Sequence, residues 1–375
     1  MYLPSALKII LPFFLLVFFG CKKKKDSEMP VQPVEGDVEI KDTILNGSLQ
    51  FPWEILWGPD NQIWMTERDG KISKINPLTG AKTELLTIPD VVSIGEGGLL
   101  GMVLHPDFSS TSHVFVAYNY HNNLGHYRGK IVRYTYNGTG LISPQVLMEN
   151  IPASSIHNGC RLLITPDLKL FITTGDAGDR SLSQNTFISV VNGRILRLNL
   201  DGSIPADNTV AGNPYWSIGN RNPQGLVYAN NILYSSEHGE TTDDEVNIIE
   251  KGRNYGWPTV QGFCDESTEQ SFCTSNNIKE PIKAWTPTIA ACGLDYYDKN
   301  LIPQWKNSLL LVALKDARMY QMKLNSSYTS ITSTTEYFTN KYGRMRDLCI
   351  SPDGKVYICT SNGGNTDKII LVEKK

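Results

Sequence analysis

A small set of residues in this chain has the types needed for acid–base and anion chemistry. They are Glu96 in Gly95-Glu96-Gly97-Gly98, His157 in His157-Asn158-Gly159, Asp176, Arg221-Asn222 and Gln224 in Gly219–Gly225, Lys315, Arg344 and Arg346. An imidazole paired with a carboxylate is suited to taking a proton near neutral pH. Arg221, Lys315, Arg344 and Arg346 would repel one another in a low-dielectric cleft unless a counter-charge is supplied. Asp176 and Glu96 supply part of it. A polyanionic ligand would supply the rest, provided the fold brings these residues to one place.

The elements that could do so recur along the chain. From residue 51 a unit repeats: a short apolar strand, a turn often written Pro-Asp, a second apolar strand, a loop, and a third strand opening on a charged residue. Its first copy is Trp53–Trp57, Gly58-Pro59-Asp60, Gln62–Thr66 and Lys71–Ile75, and its sixth is Leu348–Ser351, Pro352-Asp353-Gly354, Val356–Thr360 and Lys368–Val372. Six β units of about 40–60 residues predict an all-β, six-bladed β-propeller with four-stranded antiparallel blades. Fourth strands are expected at Thr83–Ile88, Gln145–Glu149 and Thr334–Phe338. The sixth unit stops after its third strand, so an N-terminal strand, Val38–Leu45, is expected to cover that edge and close the ring. In such a ring the loops before the first strands and after the second strands open on one rim. Every residue named above falls there, as do Glu67-Arg68 and Glu237-His238-Gly239-Glu240.

The chain has 375 residues, 41% hydrophobic and 19% charged, with a net charge of −3. This is a globular composition, not a disordered one. It carries no electrostatic footprint for nucleic acid, and the absence of any CxxC pair excludes zinc-ribbon and thioredoxin-like sites. Residues 1–20 read as an export signal, because Ile9–Phe19 is too short to span a bilayer. Gly20-Cys21 after that core resembles a bacterial lipobox, with Cys21 lipidated. Residues 21–36, with Lys22–Lys25, form a charged tether, and 37–375 the propeller domain. The expected location is the outer membrane, facing the periplasm or cell surface, with membrane contact through the lipid alone. In that oxidising setting Cys264 and Cys273, which bracket a short loop, are expected to form a disulfide. Cys160, Cys292, Cys349 and Cys359 are expected to be buried thiols, a Cys160–Cys292 bridge being the alternative for that pair.

Taken in order, these motifs resemble the soluble pyrroloquinoline-quinone (PQQ)-dependent glucose and aldose sugar dehydrogenases, the glucose/sorbosone dehydrogenase family. The similar stretches also include Thr174-Gly175-Asp176, Gly193–Arg197, Asp244–Asn247 and Asn254-Tyr255-Gly256-Trp257-Pro258, and they run from about residue 50 to the end. The resemblance implies an enzyme that oxidises the anomeric hydroxyl of an aldose to the lactone by hydride transfer to PQQ and passes electrons to an external acceptor. It implies His157 as base, Asp176 as its orienting carboxylate and Arg221 beside the developing oxyanion. Arg221, Asn222, Gln224, Thr288, Lys315, Arg344 and Arg346 are implied as PQQ contacts, and the backbone carbonyls of Gly239 and Glu240 as calcium ligands.

Two residues depart from the family pattern. Glu240 stands where proline is usual, which backbone ligation tolerates, and Glu96 stands where glutamine is frequent, which places a negative charge beside the substrate. Asp243, Asp244 and Glu245 read equally as a second calcium site or a solvated acidic turn. A non-catalytic binding propeller and a calcium-dependent lactone hydrolase are the competing readings. The retained His157, Asp176, Lys315 and Arg344/Arg346 favour the dehydrogenase.

Overall fold

The structure, a computed structural model, describes residues 36–375. The leader, nearly all of the tether and Cys21 lie outside the described residues. Among those described, no helix is long and apolar enough to cross a membrane.

Six four-stranded antiparallel sheets follow one another along the chain. Blade one runs from Pro52–Trp57 to Lys82–Thr87, blade two from Leu99–Leu104 to Leu141–Pro152, and blade three from Leu162–Ile164 to Tyr215–Ile218. Blade four runs from Pro223–Ala229 to Lys283–Trp285, blade five from Ala291–Tyr297 to Ile331–Tyr337, and blade six takes Met345–Ile350, Val356–Thr360 and Asp367–Lys374. The fourth strand of blade six is Ile40–Leu49, antiparallel to Asp367–Lys374. The expected closing strand therefore exists, shifted to later residues. Two irregularities in its register, after Ile44 and after Asn46, let it run four residues beyond Leu45. The outer strands of blades three and four were not read from the sequence. They are only four and three residues long and follow long loops, so they carry little alternation to recognise.

The apolar packing sits between blades rather than at the centre. Each of six buried clusters fills one seam. Trp64, Leu99 and Val116 are in the seam of blades one and two, Tyr234, Leu309 and Met322 in that of four and five, and Ile55, Met65, Cys359 and Ile369 in that of six and one. Twisted sheets packed face to face bury their side chains in this way. The inner strands are left to meet at an axis that is not an apolar core. Their close approach there excludes side chains at Gly101, Gly225 and Gly293, where a Cβ would lie 2.0 Å from the Cys160 carbonyl, 2.3 Å from Ser236 Oγ and 2.2 Å from Asp347 Oδ1.

The Pro-Asp turns all lie on one rim, and their aspartates are tied back to the blades. Trp64 Nε1 donates to Asp60 at 3.0 Å. The chain reaches the propeller on this same rim, where Val38 N–H donates to Gln304 in the first turn of blade five at 3.3 Å. Cys264 and Cys273 are joined by a disulfide around the short helix Ser267–Ser275. Cys160 and Cys292 are separate buried thiols, as are Cys349 and Cys359.

Removing residues 37–49 uncovers the whole edge of Asp367–Lys374. The shortened protein is expected to aggregate or to melt well below the parent in size-exclusion and thermal-melt measurements. A monodisperse product with an unchanged melting temperature would show that this strand does not close the ring.

Candidate active site

The rim opposite the Pro-Asp turns opens into an axial cavity of about 330 Å³. All six blades line it, among them Trp53 and Arg68 of blade one, Gln224 and His238 of blade four, and Arg344 and Arg346 of blade six. Of the residues expected on this rim, Arg68, Glu96, Gln224, His238, Arg344 and Arg346 line the cavity, and the His157 loop borders it through Asn158 and Gly159, whereas Arg221, Glu237 and Gly239 line a separate small pocket beside Trp257. Glu67 is buried away from the cavity, where it accepts the Gln50 N–H at 3.1 Å and pairs with Lys82.

His157 and Asp176 come from the two loops of blade three that face this rim. Asp176 Oδ1 lies 2.7 Å from His157 Nδ1. The same oxygen accepts the Gly178 N–H at 2.8 Å, and Oδ2 accepts Trp257 Nε1 at 2.9 Å. Burial acts to raise the carboxyl pKa, but the bonds from His157, Gly178 and Trp257 outweigh it and hold Asp176 below the usual aspartate range. With Nδ1 occupied, Nε2 is the free nitrogen of the imidazole. The His157 N–H donates to Glu96 Oε2 at 3.0 Å, so Glu96 holds the loop that carries the histidine. His157, Cys160 and Ala177 all have left-handed φ, at 54°, 74° and 54°. Such values in non-glycine residues cost about 1–3 kcal/mol each and persist only where surrounding contacts impose them.

Blade four supplies the next group. The buried Glu237 carboxylate accepts the N–H groups of Arg221 and Asn222, the latter at 3.2 Å, and the Asn220 side chain at 2.8 Å. It thereby fixes the loop that presents Arg221, whose guanidinium lies 5.2 Å from the Trp257 ring. Asn222 Oδ1 accepts the Gly159 N–H at 3.1 Å and Gln224 Nε2 at 3.0 Å. Gln224 Oε1 in turn accepts Arg346 Nη1 at 3.0 Å. Arg346 is 8% exposed. Arg344 is exposed at the mouth. Burial and the neighbouring Arg346 lower the pKa values of both Arg344 and Arg68. Lys315 stands at the outer lip, just beyond the lining residue Leu314, and donates to Thr288 Oγ1 at 2.9 Å.

Several buried polar atoms of residues that line this cavity or adjoin it have no partner among the described residues: Arg346 Nε and His238 Nε2 on lining residues, and Arg221 Nε and Asn222 Nδ2 beside them. Each unpaired buried donor costs about 1–3 kcal/mol. His238 is kept neutral, its pKa pushed down to about 3 by burial and by Arg346, Arg221 and His157. Arg68 and His238 were visible in the sequence as rim residues, but nothing in their spacing assigned them to the cationic group. Trp257 gave no sign of its bond to Asp176, because 81 residues separate the two.

Among the described residues, no N–H or O–H donates to the carbonyl oxygens of Gly239 and Glu240. The Glu240 side chain turns to Arg180. Asp244 and Glu245 are buried, which corrects the solvated-turn reading. Asp244 accepts the N–H groups of Gly239, Ile289 and Ala291 at 2.7, 2.8 and 3.0 Å, and Glu245 accepts that of Gly262 at 2.8 Å. Among the described residues, no three His, Cys, Asp or Glu side chains group as a metal site.

The model of the glucose/sorbosone dehydrogenase family matches residues 49–371. The chain is 33% identical to quinoprotein glucose dehydrogenase B of Acinetobacter calcoaceticus, over 87% of this chain and 86% of that protein. It is 31% identical to aldose sugar dehydrogenase YliI of Escherichia coli, over 84% and 89% of the two chains. The solved PQQ-bound aldose sugar dehydrogenase of Streptomyces coelicolor superposes with a TM-score of 0.76 at 29% identity, covering 90% of this chain and 99% of that one.

The depressed Asp176 pKa has a consequence for stability. A carboxyl whose folded pKa lies below its unfolded value stabilises the fold above the unfolded pKa, about 3.9, and loses that contribution as pH falls through the folded pKa. Asp176→Asn removes the charge. The stability gap between the parent and this variant, measured by denaturant unfolding, is expected to be largest at neutral pH and to narrow below about pH 4. A gap independent of pH would show that the ionised carboxylate is not its source.

Proposed function

The chain belongs to the glucose/sorbosone dehydrogenase family, and from that membership we propose that it is a PQQ- and calcium-dependent aldose dehydrogenase that oxidises the C1 hydroxyl of a sugar to the lactone. The observation that carries this reading is the buried cationic cavity whose inward donors lack partners and which opens beside a His–Asp pair.

The donor set suits a planar tricarboxylate. Arg346, Arg344 and Lys315 would hold its carboxylates, with the free Arg346 Nε and the Lys315–Thr288 pair as contacts. Arg221 and Asn222, each with a free nitrogen, would face its quinone oxygens. The unpartnered carbonyls of Gly239 and Glu240 are hard oxygen donors of the kind calcium takes. When bound, PQQ with calcium supplies a polarised quinone that accepts two electrons. The chain itself does the rest. Asp176 fixes the orientation of the His157 ring through Nδ1, leaving Nε2 to receive the C1 hydroxyl proton and stabilising the imidazolium that results. Glu96 stands at the mouth, where its charge bears on which sugars enter. Arg221 is placed to stabilise negative charge developing beside the quinone.

Sugar oxidation is shared with the glucose and aldose sugar dehydrogenases that this chain resembles, and reoxidation of the reduced quinone requires an external electron acceptor. Lipidation at Cys21 and outer-membrane attachment complete the reading. They are supported by the leader sequence alone. Cys21→Ser is expected to release the protein from the membrane fraction, and unchanged attachment would exclude the anchor.

The central test is reconstitution of the metal-free apoprotein with PQQ and calcium, followed by dye reduction with a panel of aldoses. His157→Asn is expected to lower kcat by about 10²–10⁴, the usual worth of a general base, with PQQ binding retained. Near parental turnover in that variant would remove His157 as the base. No aldose-dependent reduction in the loaded parent protein would remove the dehydrogenase reading.

A further inference from the structure

We propose that Arg161 is a positioning residue for the cofactor clamp, fixing from below the Gln224 segment that holds Arg346. This rests on the reading of the axial cavity as the PQQ site.

Arg161 is 3% exposed and immediately precedes the inner strand of blade three. Its Nε donates to the Gln224 carbonyl at 2.8 Å. Its Nη1 reaches Glu54 Oε1 at 2.6 Å and Asp347 Oδ2 at 3.0 Å. Gln224 is the residue whose side chain accepts Arg346 Nη1, and Asp347 directly follows Arg346 in the chain. The clamp arginine is thus held from two sides by groups that Arg161 holds. Glu54 Oε2 also accepts the Met102 N–H at 3.3 Å, and Asp347 Oδ2 accepts the Ile55 N–H at 2.9 Å. One guanidinium thereby ties blades three, four, one and six directly, and blade two through Glu54.

The hub separates two chambers. Gln224 and Arg346 line the upper cavity, while Arg161, Glu54, Asp347 and Asp295 line a lower one of about 280 Å³. Trp53 lies in the partition, its ring 4.3 Å from the Arg161 guanidinium and 5.8 Å from that of Arg346. Burial holds the Glu54 and Asp347 carboxyls above the usual carboxylate range, and the Arg161 charge offsets only part of that rise. Two separate nitrogens of a rigid plane, Nε for the Gln224 carbonyl and Nη1 for the two carboxyls, hold these groups at a fixed spacing that the single ammonium of lysine does not reproduce. Arg161 does not touch the His157–Asp176 pair, so its effect should fall on cofactor affinity and not on the sugar.

The experiment compares the parent with Arg161→Lys, Gln224→Leu and the double variant. Three quantities are read: the PQQ dissociation constant of the apoprotein by quenching of intrinsic fluorescence, the melting temperature, and the sugar KM at saturating PQQ. Arg161→Lys and Gln224→Leu are each expected to weaken PQQ binding at least tenfold. The double variant is expected to lose much less than the product of the two, because they act on one link. The sugar KM should stay within about twofold. A purely structural Arg161 would lower the melting temperature and leave PQQ affinity at the parental value, and that result overturns the proposal. So do fully multiplicative losses in the double variant. If Arg161→Lys does not fold, the isosteric Asp347→Asn takes its place with the same expectation, and parental affinity there overturns the proposal equally. A parent protein that binds no PQQ would defeat the site reading itself. Parental binding with unaltered variants defeats this inference alone.

Discussion

Charge compensation at the axis is the constraint on which the rest of this structure depends. A ring of six sheets places its apolar side chains in the seams, so no central core is available to the inner strands. The axis fills instead with buried polar and charged groups, each of which needs a partner. Below the cavity that need is met internally, by Arg161 set between Glu54 and Asp347. Above it the balance fails. Arg346, Arg344 and Arg68 crowd one chamber, and Glu96 at the mouth is already committed to the His157 loop. The chamber carries a surplus of positive charge, part of it buried at Arg346, and free donors that an anion of matching shape would neutralise.

The same logic explains how the His157–Asp176 pair is held. Asp176 accepts three hydrogen bonds, and Glu237 accepts three from the Arg221 loop, so both carboxylates act as fixed anchors for chain that would otherwise be mobile. The left-handed backbone at His157, Cys160 and Ala177 is the local cost of aiming an imidazole inward from a tight loop. Trp257 joins the two systems, donating to Asp176 and lying under Arg221. Orientation of the His157–Asp176 pair is therefore set by groups from blades three and four, while the cationic side chains Arg68, Lys315, Arg344 and Arg346 come from blades one, five and six.

Most of the fold was legible because propeller strands repeat with strong local signals. The Pro-Asp turns, the apolar runs and the missing fourth strand of the last blade located nearly every element, including the ring closure by an N-terminal strand. The short outer strands of blades three and four were not legible, since a pairing of three or four residues leaves almost no pattern. The site residues were legible as a rim because repeat position fixes where a loop opens. Their partners were not. The bonds from Arg161 to Gln224 and from Trp257 to Asp176 join neighbouring blades across 63 and 81 residues, which no local pattern records, and the acidic run at Glu245 suited a calcium site and a solvated turn equally because burial has no signature in so short a stretch.

The measurement that bears most directly on charge compensation is a pair of titrations of the calcium-loaded apoprotein, one with PQQ and one with its trimethyl ester. The ester keeps the quinone and the ring system but carries none of the carboxylate charge. If uncompensated cations drive binding, PQQ binds one to one and the ester at least about a hundredfold more weakly, a difference of about 2.7 kcal/mol. Equal affinity for the two would contradict it, and the cavity would then select its ligand by shape and the quinone oxygens alone.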